Sequence, residues 1–285
     1  MTGGVEVLRA GALTTVQDLG RPGWAHLGVP RSGALDPAAL RLANRLVGNP
    51  ESAAGLEITL TGCELRFTRA TAVAVTGAEA DVRVDRRPAD TGRPLALPAG
   101  AVLRIGPARR GLRTWLAAAG GIDVPPVLGS RATDTLSGLG PPPLRDGDRL
   151  SLGTPAGPPA PVDVTAGPPP PTELRLALRL GPRDDWFPPA ALDRLLDTPY
   201  AVSPLSNRVG ARLTGAPLPR AVAGELPSEG IVLGAVQVPA DGQPLVFLAD
   251  HPTTGGYPVV GVVDDVTPLA QARPGTTVRF HGPQR

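Results

Sequence analysis

Lysine is missing altogether: all 28 basic residues among the 285 are arginine. The chain therefore has no Schiff-base lysine, no lysine of a Walker-type phosphate loop, and no lysine on which biotin could be carried. Over-use of Ala, Gly, Pro and Arg fits a GC-rich coding bias, so the arginine load reads as drift and not as selection for guanidinium chemistry. Cysteine is nearly missing too. Cys63 alone excludes an internal disulfide and a Cys-rich metal knuckle; it lies in a strand-like run and reads as a small core residue. Aromatics are 3% of the chain, which leaves the core to Val, Leu, Ile and Ala. No stretch approaches the roughly 18 apolar residues of a membrane span. The opening MTGGVEVLRAG lacks a basic region followed by an apolar run, so no signal peptide and a cytoplasmic location are expected. Net charge is +2, and no basic tract is interleaved with aromatics, which disfavours nucleic acid as a partner. His26, His251 and His281 are too scattered to make a metal site, and none is expected. The signatures GxxxxGK[ST], GxSxG and HExxH do not occur.

What the sequence has in excess is glycine and proline, 36 of each, a quarter of the chain. Such a load breaks long helices and favours short strands joined by turns. Strand-like runs recur at Val5–Leu8, Leu56–Leu60, Ala72–Thr76, Asp81–Asp85, Ala101–Ile105 and Arg113–Ala117. They continue at Leu174–Leu180, Ile231–Val238, Pro244–Leu248, Val259–Val263 and Thr277–Phe280. The pattern predicts a mainly β protein, a barrel or sandwich, with a few short helices. One helix is predicted over 37–47, with Asp36 as cap, Pro37 at its first position and Gly48 after its end. Leu42, Ala43 and Leu46 give it an apolar stripe. A second is predicted over 188–197. The Pro/Gly-rich stretch 156–172 reads as an extended linker between domains at 1–155 and 173–285. A turn-then-strand pattern that recurs in both halves hints at related architecture.

Three segments are rich in glycine and polar groups. Thr14–Asp36 has little strand or helix signal, and loops of this length are usually functional. Asp36 has both a capping and a site reading. In Ser203–Gly215, Arg208 could clamp a carboxylate or phosphate with its fork, or be a solvated surface arginine. The densest segment is Ser228–Pro258. There Asp250-His251 precedes Pro252-Thr253-Thr254 and Gly255-Gly256-Tyr257-Pro258, and these hydroxyls and backbone amides suit an oxyanion or phosphate. His251 could be a base poised by Asp250, although neighbours on a strand point oppositely. Glu229 is the other candidate acid or base. The candidate catalytic set is Glu229, His251 and Tyr257. The candidate binding set is Asp36, Asn44, Glu57, Arg208, Gln237, Thr253, Thr254, Gly255 and Gly256.

The same segments carry a resemblance. TVQDLGRPG, GVPRSGALDPAALRLANRLVGNP, AAGGIDVPPVLGSRAT, GPRDDWF, SNRVGARLTG and SEGIVLGAVQVPADGQP with TTGGYP are similar to the KipA-like family, also called allophanate hydrolase subunit 2 or biotin-dependent carboxyltransferase-like. The match runs in order from about Val5 to Phe280. It implies two tandem cyclophilin-like β-barrel domains. Its members include the C subunit of bacterial 5-oxoprolinase, which implies ATP-dependent hydrolysis of 5-oxoproline to glutamate. ATP with Mg2+ would act at the level of the complex, and the implied partners are a KipI-like B subunit and a LamB/YcsF-like A subunit. Two alternatives stay open: the carboxyltransferase part of a biotin-dependent urea or amide carboxylase, and a non-catalytic regulator of a KipI-like partner. Many members have Gln where Pro252 stands and Met where Leu35 stands; proline removes a backbone donor and a side-chain amide at that point.

Overall fold

The computed structural model describes residues 4–162, 171–224 and 226–282. The central part of the expected linker, 163–170, lies outside the described residues. The chain divides into two compact units. One holds Met1–Arg21 and Ser32–Pro170, the other Pro22–Arg31 and Pro171–Arg285. Part of the early glycine-rich loop thus groups with the second unit. Among the described residues no helix is long and apolar enough to cross a membrane.

The first unit is built on a ten-stranded sheet. Its main path runs Leu13–Gln17, Gly55–Thr59, Val102–Ala118, Cys63–Phe67, Gly4–Arg9, Arg149–Leu152 and Ile122–Asp123. Strand residues alternate inward, and the core is aliphatic: Val5, Val7, Val16, Leu56, Ile58, Leu65, Leu103 and Ile105, with Phe67 as the aromatic member. The sequence predicts separate runs at Ala72–Thr76 and Asp81–Asp85, and at Ala101–Ile105 and Arg113–Ala117. Each pair is instead one long strand, Thr71–Val84 and Val102–Ala118, and the two pair antiparallel. Register shifts between Gly77 and Val82 place bulges where the alternation breaks, and these bend the ribbon without ending it. The early loop is also shorter than expected, because Leu13–Gln17 is a strand.

Helix α1 (Pro37–Leu46) forms on local signals. The Asp36 carboxylate accepts from the Ala39 N–H at 3.0 Å and Pro37 opens the first turn. Leu40, Ala43 and Leu46 are buried, while Leu42 only flanks the cluster that Ala43 and Leu46 make with Ala74 and Ala117.

The second unit is a closed barrel: Glu173–Leu180, Val259–Val263, Ala235–Gln237, Leu245–Phe247, Gly210–Thr214, Tyr200–Val202 and Thr277–His281. Closure comes from parallel pairing of Glu173–Leu180 with Thr277–His281, and helix α2 (Pro189–Asp197) packs on that last strand. Only Ala235–Gln237 of the expected Ile231–Val238 run is strand. Gly234 has φ +82°, and a Cβ there would sit 2.4 Å from the Val263 carbonyl oxygen, so the chain turns before the strand begins. Outside the barrel ladder, Glu229–Gly230 pairs antiparallel with Thr254–Gly255.

Candidate functional site

The second unit gathers most of the polar residues singled out in the sequence. The small ladder Glu229–Gly230 with Thr254–Gly255 sets Glu229 opposite Gly255 and Gly230 opposite Thr254. The Ile231 N–H donates to the Thr253 carbonyl at 2.8 Å and extends the pairing. Behind it, the buried Gln237 donates from Nε2 to the Tyr257 carbonyl at 3.0 Å. A Cβ on Gly255 would lie 2.9 Å from that same nitrogen, so a glycine lets ladder and amide approach. The Leu226 N–H reaches the Gly256 carbonyl at 3.2 Å. Thr253 is half-buried, Thr254 is exposed and Tyr257 is 40% exposed. The early loop comes near this turn at Gly28, where a Cβ would sit 3.9 Å from Thr253 Oγ1.

The charged groups here are paired. Glu229 accepts both Nε and Nη2 of Arg183. The guanidinium holds the Glu229 carboxyl below its ordinary range, first by hydrogen bonding and then, against partial desolvation, by Coulomb attraction. Glu229 is thus ionised at neutral pH and a poor proton donor. Arg208 and Asp250 are both buried and form a two-pronged pair, Nε to Oδ2 and Nη2 to Oδ1, each 2.9 Å. The fork of Arg208 is therefore occupied by a side chain of this chain. Asp250 pairs with Arg208, while His251 Nδ1 lies 2.7 Å from the Pro252 carbonyl oxygen and its ring 6.2 Å from that of Phe247.

Three candidates belong to the first unit. Asp36 caps α1. Asn44, fully buried, donates to the carbonyls of Glu51 and Ala53 and accepts from Asn49 Nδ2, which ties down the chain after the helix. Glu57, also buried, accepts from the Leu35 N–H and lies 3.3 Å from Arg113 Nε. Burial pushes the Cys63 thiol up to about 12, so this thiol stays protonated and inert.

Sequence reasoning missed two arginines of the second unit. Arg183 stands in the GPRDDWF segment, where its place after Gly181-Pro182 was the available signal. Arg220 lies over the Tyr257 ring, 5.7 Å from its centroid, and donates from Nη2 to the Val238 carbonyl at 2.6 Å. Nothing local marks it. Among the described residues no group of three or more His, Cys, Asp or Glu side chains could hold a metal ion.

Comparison with known proteins adds four findings. Residues 27–282 match the family model described as carboxyltransferase domain, subdomain A and B. The chain is 40% identical to the C subunit of 5-oxoprolinase from Escherichia coli, over 97% of this chain and 90% of that protein. It is 34% identical to the urea amidolyase of Lachancea kluyveri over 96% of its own length but only 17% of that protein's. The crystal structure of the K. lactis urea amidolyase superposes with a TM-score of 0.90 at 30% identity, covering all of this chain and 19% of the other.

Proposed function

The chain belongs to the carboxyltransferase-domain family, subdomains A and B, and from that premise we propose that it works as the C-type subunit of an ATP-dependent 5-oxoprolinase. It acts in complex with a KipI-like and a LamB/YcsF-like partner, and the complex opens the ring of 5-oxoproline to give glutamate. The observation that carries this reading is two-way coverage. The relative named as the C subunit of 5-oxoprolinase is matched over nearly its whole length, whereas the urea amidolyases are matched over less than a fifth of theirs.

The ring amide is resonance-stabilised, and its hydrolysis needs activation of the lactam carbonyl together with a hold on the substrate carboxylate. The nucleotide belongs to the assembled complex. This chain's part is to bind and orient. Thr253, Thr254 and the Gly255-Gly256 backbone supply hydroxyls and amides beside Tyr257, and the ion pair of Glu229 with Arg183 holds the ladder that presents them.

The test is co-expression with the two partner proteins and an assay for glutamate and phosphate. Release of both that depends on 5-oxoproline is expected from the three-part complex and from no single chain. A complex that assembles and hydrolyses no ATP in response to 5-oxoproline would sink the reading. A second reading, transfer of a carboxyl group to urea or another amide, is favoured by the urea amidolyase likeness. It requires carboxybiotin carried outside these residues, because they contain no lysine.

A further inference from the structure

The early glycine-rich loop closes on itself at its base. The Asp18 carbonyl accepts the Ala34 N–H at 2.9 Å, and Gly33 lies so near Gly20 that a Cβ on it would sit 2.6 Å from the Gly20 nitrogen. The Asp18 carboxylate pins the same base. It accepts from the Gly20 N–H at 2.8 Å, the Ser130 hydroxyl at 2.6 Å and the Arg131 N–H at 2.6 Å. Ser32 fixes the returning chain: it is buried, has φ +53° and donates from Oγ to the Thr133 carbonyl at 3.0 Å. A segment whose two ends meet in this way is an Ω-loop.

The tip, Pro22–Arg31, makes its polar contacts with itself. The N–H groups of Leu27 and Gly28 donate to the carbonyls of Trp24 and Ala25, each at 2.9 Å, and the Val29 N–H donates to the Trp24 carbonyl at 3.3 Å. His26 Nδ1 lies 3.1 Å from the Gly23 carbonyl oxygen, and the His26 ring stacks on that of Trp24 with centroids 6.2 Å apart. Among the described residues, every hydrogen bond, ion pair and ring contact of this segment stays inside it. Of its side chains only Pro30 is buried, and Leu27 is 60% exposed. A piece with its own internal structure, a pinned base and no outside polar bond can open locally as one body. The tip groups with the second unit, and at Gly28 it comes near Thr253, whose hydroxyl makes no hydrogen bond among the described residues.

We propose that Pro22–Arg31 is a lid over the Thr253–Gly256 turn, which lifts from its pinned base to admit a small ligand and settles over it to shut out water. The proposal rests on the 5-oxoprolinase reading for the identity of that ligand, 5-oxoproline. Closure serves that reaction because an activated lactam carbonyl then meets only the water that the site admits.

Two measurements test the lid. In the full wild-type chain, amide hydrogen exchange should show the tip amides of Leu27, Gly28 and Val29 opening well before the Ala34 amide at the base. In the double variant Gly28→Cys with Thr253→Cys, a disulfide should lock the tip down. The 3.9 Å from a Gly28 Cβ to Thr253 Oγ1 suits such a bridge, and the one native thiol, Cys63, is buried. Oxidation should slow exchange across 22–31 in the chain itself. In the assembled complex it should abolish glutamate formation from 5-oxoproline, and reduction should restore it, so that the reduced variant is its own reference. If oxidation slows tip exchange but no complex, wild-type or variant, makes glutamate, the lid stands and the 5-oxoprolinase reading fails. Wild-type tip amides that exchange as slowly as that of Ala34, or a crosslinked complex that turns over as fast as its reduced form, overturn the lid.

Discussion

Glu229 and Arg183 meet as carboxylate and fork, and the pairing decides what Glu229 can do. A carboxyl whose pKa is depressed by its partner contributes stability above its unfolded value, about 4.3, and loses that contribution as pH falls through the folded value. Glu229→Gln should therefore destabilise the chain at neutral pH, and the gap to the wild type should close on acidification below the ordinary carboxylate range. Chemical denaturation at a series of pH values reads this directly. The exchanged pair, Arg183→Glu with Glu229→Arg, distinguishes a latch from a base: restored activity in the complex marks a latch, and a folded but dead exchange marks a group that handles protons. The buried pair of Arg208 and Asp250 calls for a larger effect. Removing either partner leaves a charge in a dry site, so Arg208→Ala should cost about 3–5 kcal/mol in urea unfolding. A loss below about 1 kcal/mol, the range of exposed pairs, would show that the pair is wetter than its geometry implies.

Among elements, the ladder of Glu229–Gly230 with Thr254–Gly255 depends on a close approach at Gly255. Gly255→Ala brings a methyl group to 2.9 Å from Gln237 Nε2, whose other commitment is the Tyr257 carbonyl. The expected outcome is loss of that hydrogen bond, about 1 kcal/mol of stability, and lower turnover in the complex. A variant with full activity and an unchanged melting point would mean the turn can shift without consequence. Helix α1 gives a calibration: Asp36→Ala removes a cap and should cost about 1 kcal/mol. Both helices were legible because caps, prolines and apolar spacing are local signals. The long strands Thr71–Val84 and Val102–Ala118 were legible only in pieces, since a bulge at Gly77–Val82 interrupts the alternation that marks a strand. The glycine and threonine cluster at 253–256 could be seen in sequence because its composition is unusual. The partners of Arg208, Arg183 and Arg220 could not: an arginine's neighbour 18, 42 or 46 residues away is set by tertiary packing and not by anything near it in the chain.

At the scale of the whole molecule, strand content was readable from glycine and proline punctuation, which left barrel and sandwich open; the barrel came from the family resemblance, because closure depends on pairing Glu173–Leu180 with Thr277–His281 across most of the second unit. The lysine-free composition has a consequence at this scale as well. These 285 residues hold no lysine and cannot carry biotin, so any carboxyl transfer through them must draw on carboxybiotin held outside them. Ring opening of 5-oxoproline has no such requirement. Avidin and removal of bicarbonate are therefore sharp reagents: the assembled complex should keep making glutamate from 5-oxoproline in the presence of excess avidin and in bicarbonate-depleted buffer. If either treatment abolishes turnover, the chain is a carboxyl acceptor site served by a biotin carrier, and the amide it works on must be sought among carboxylation substrates.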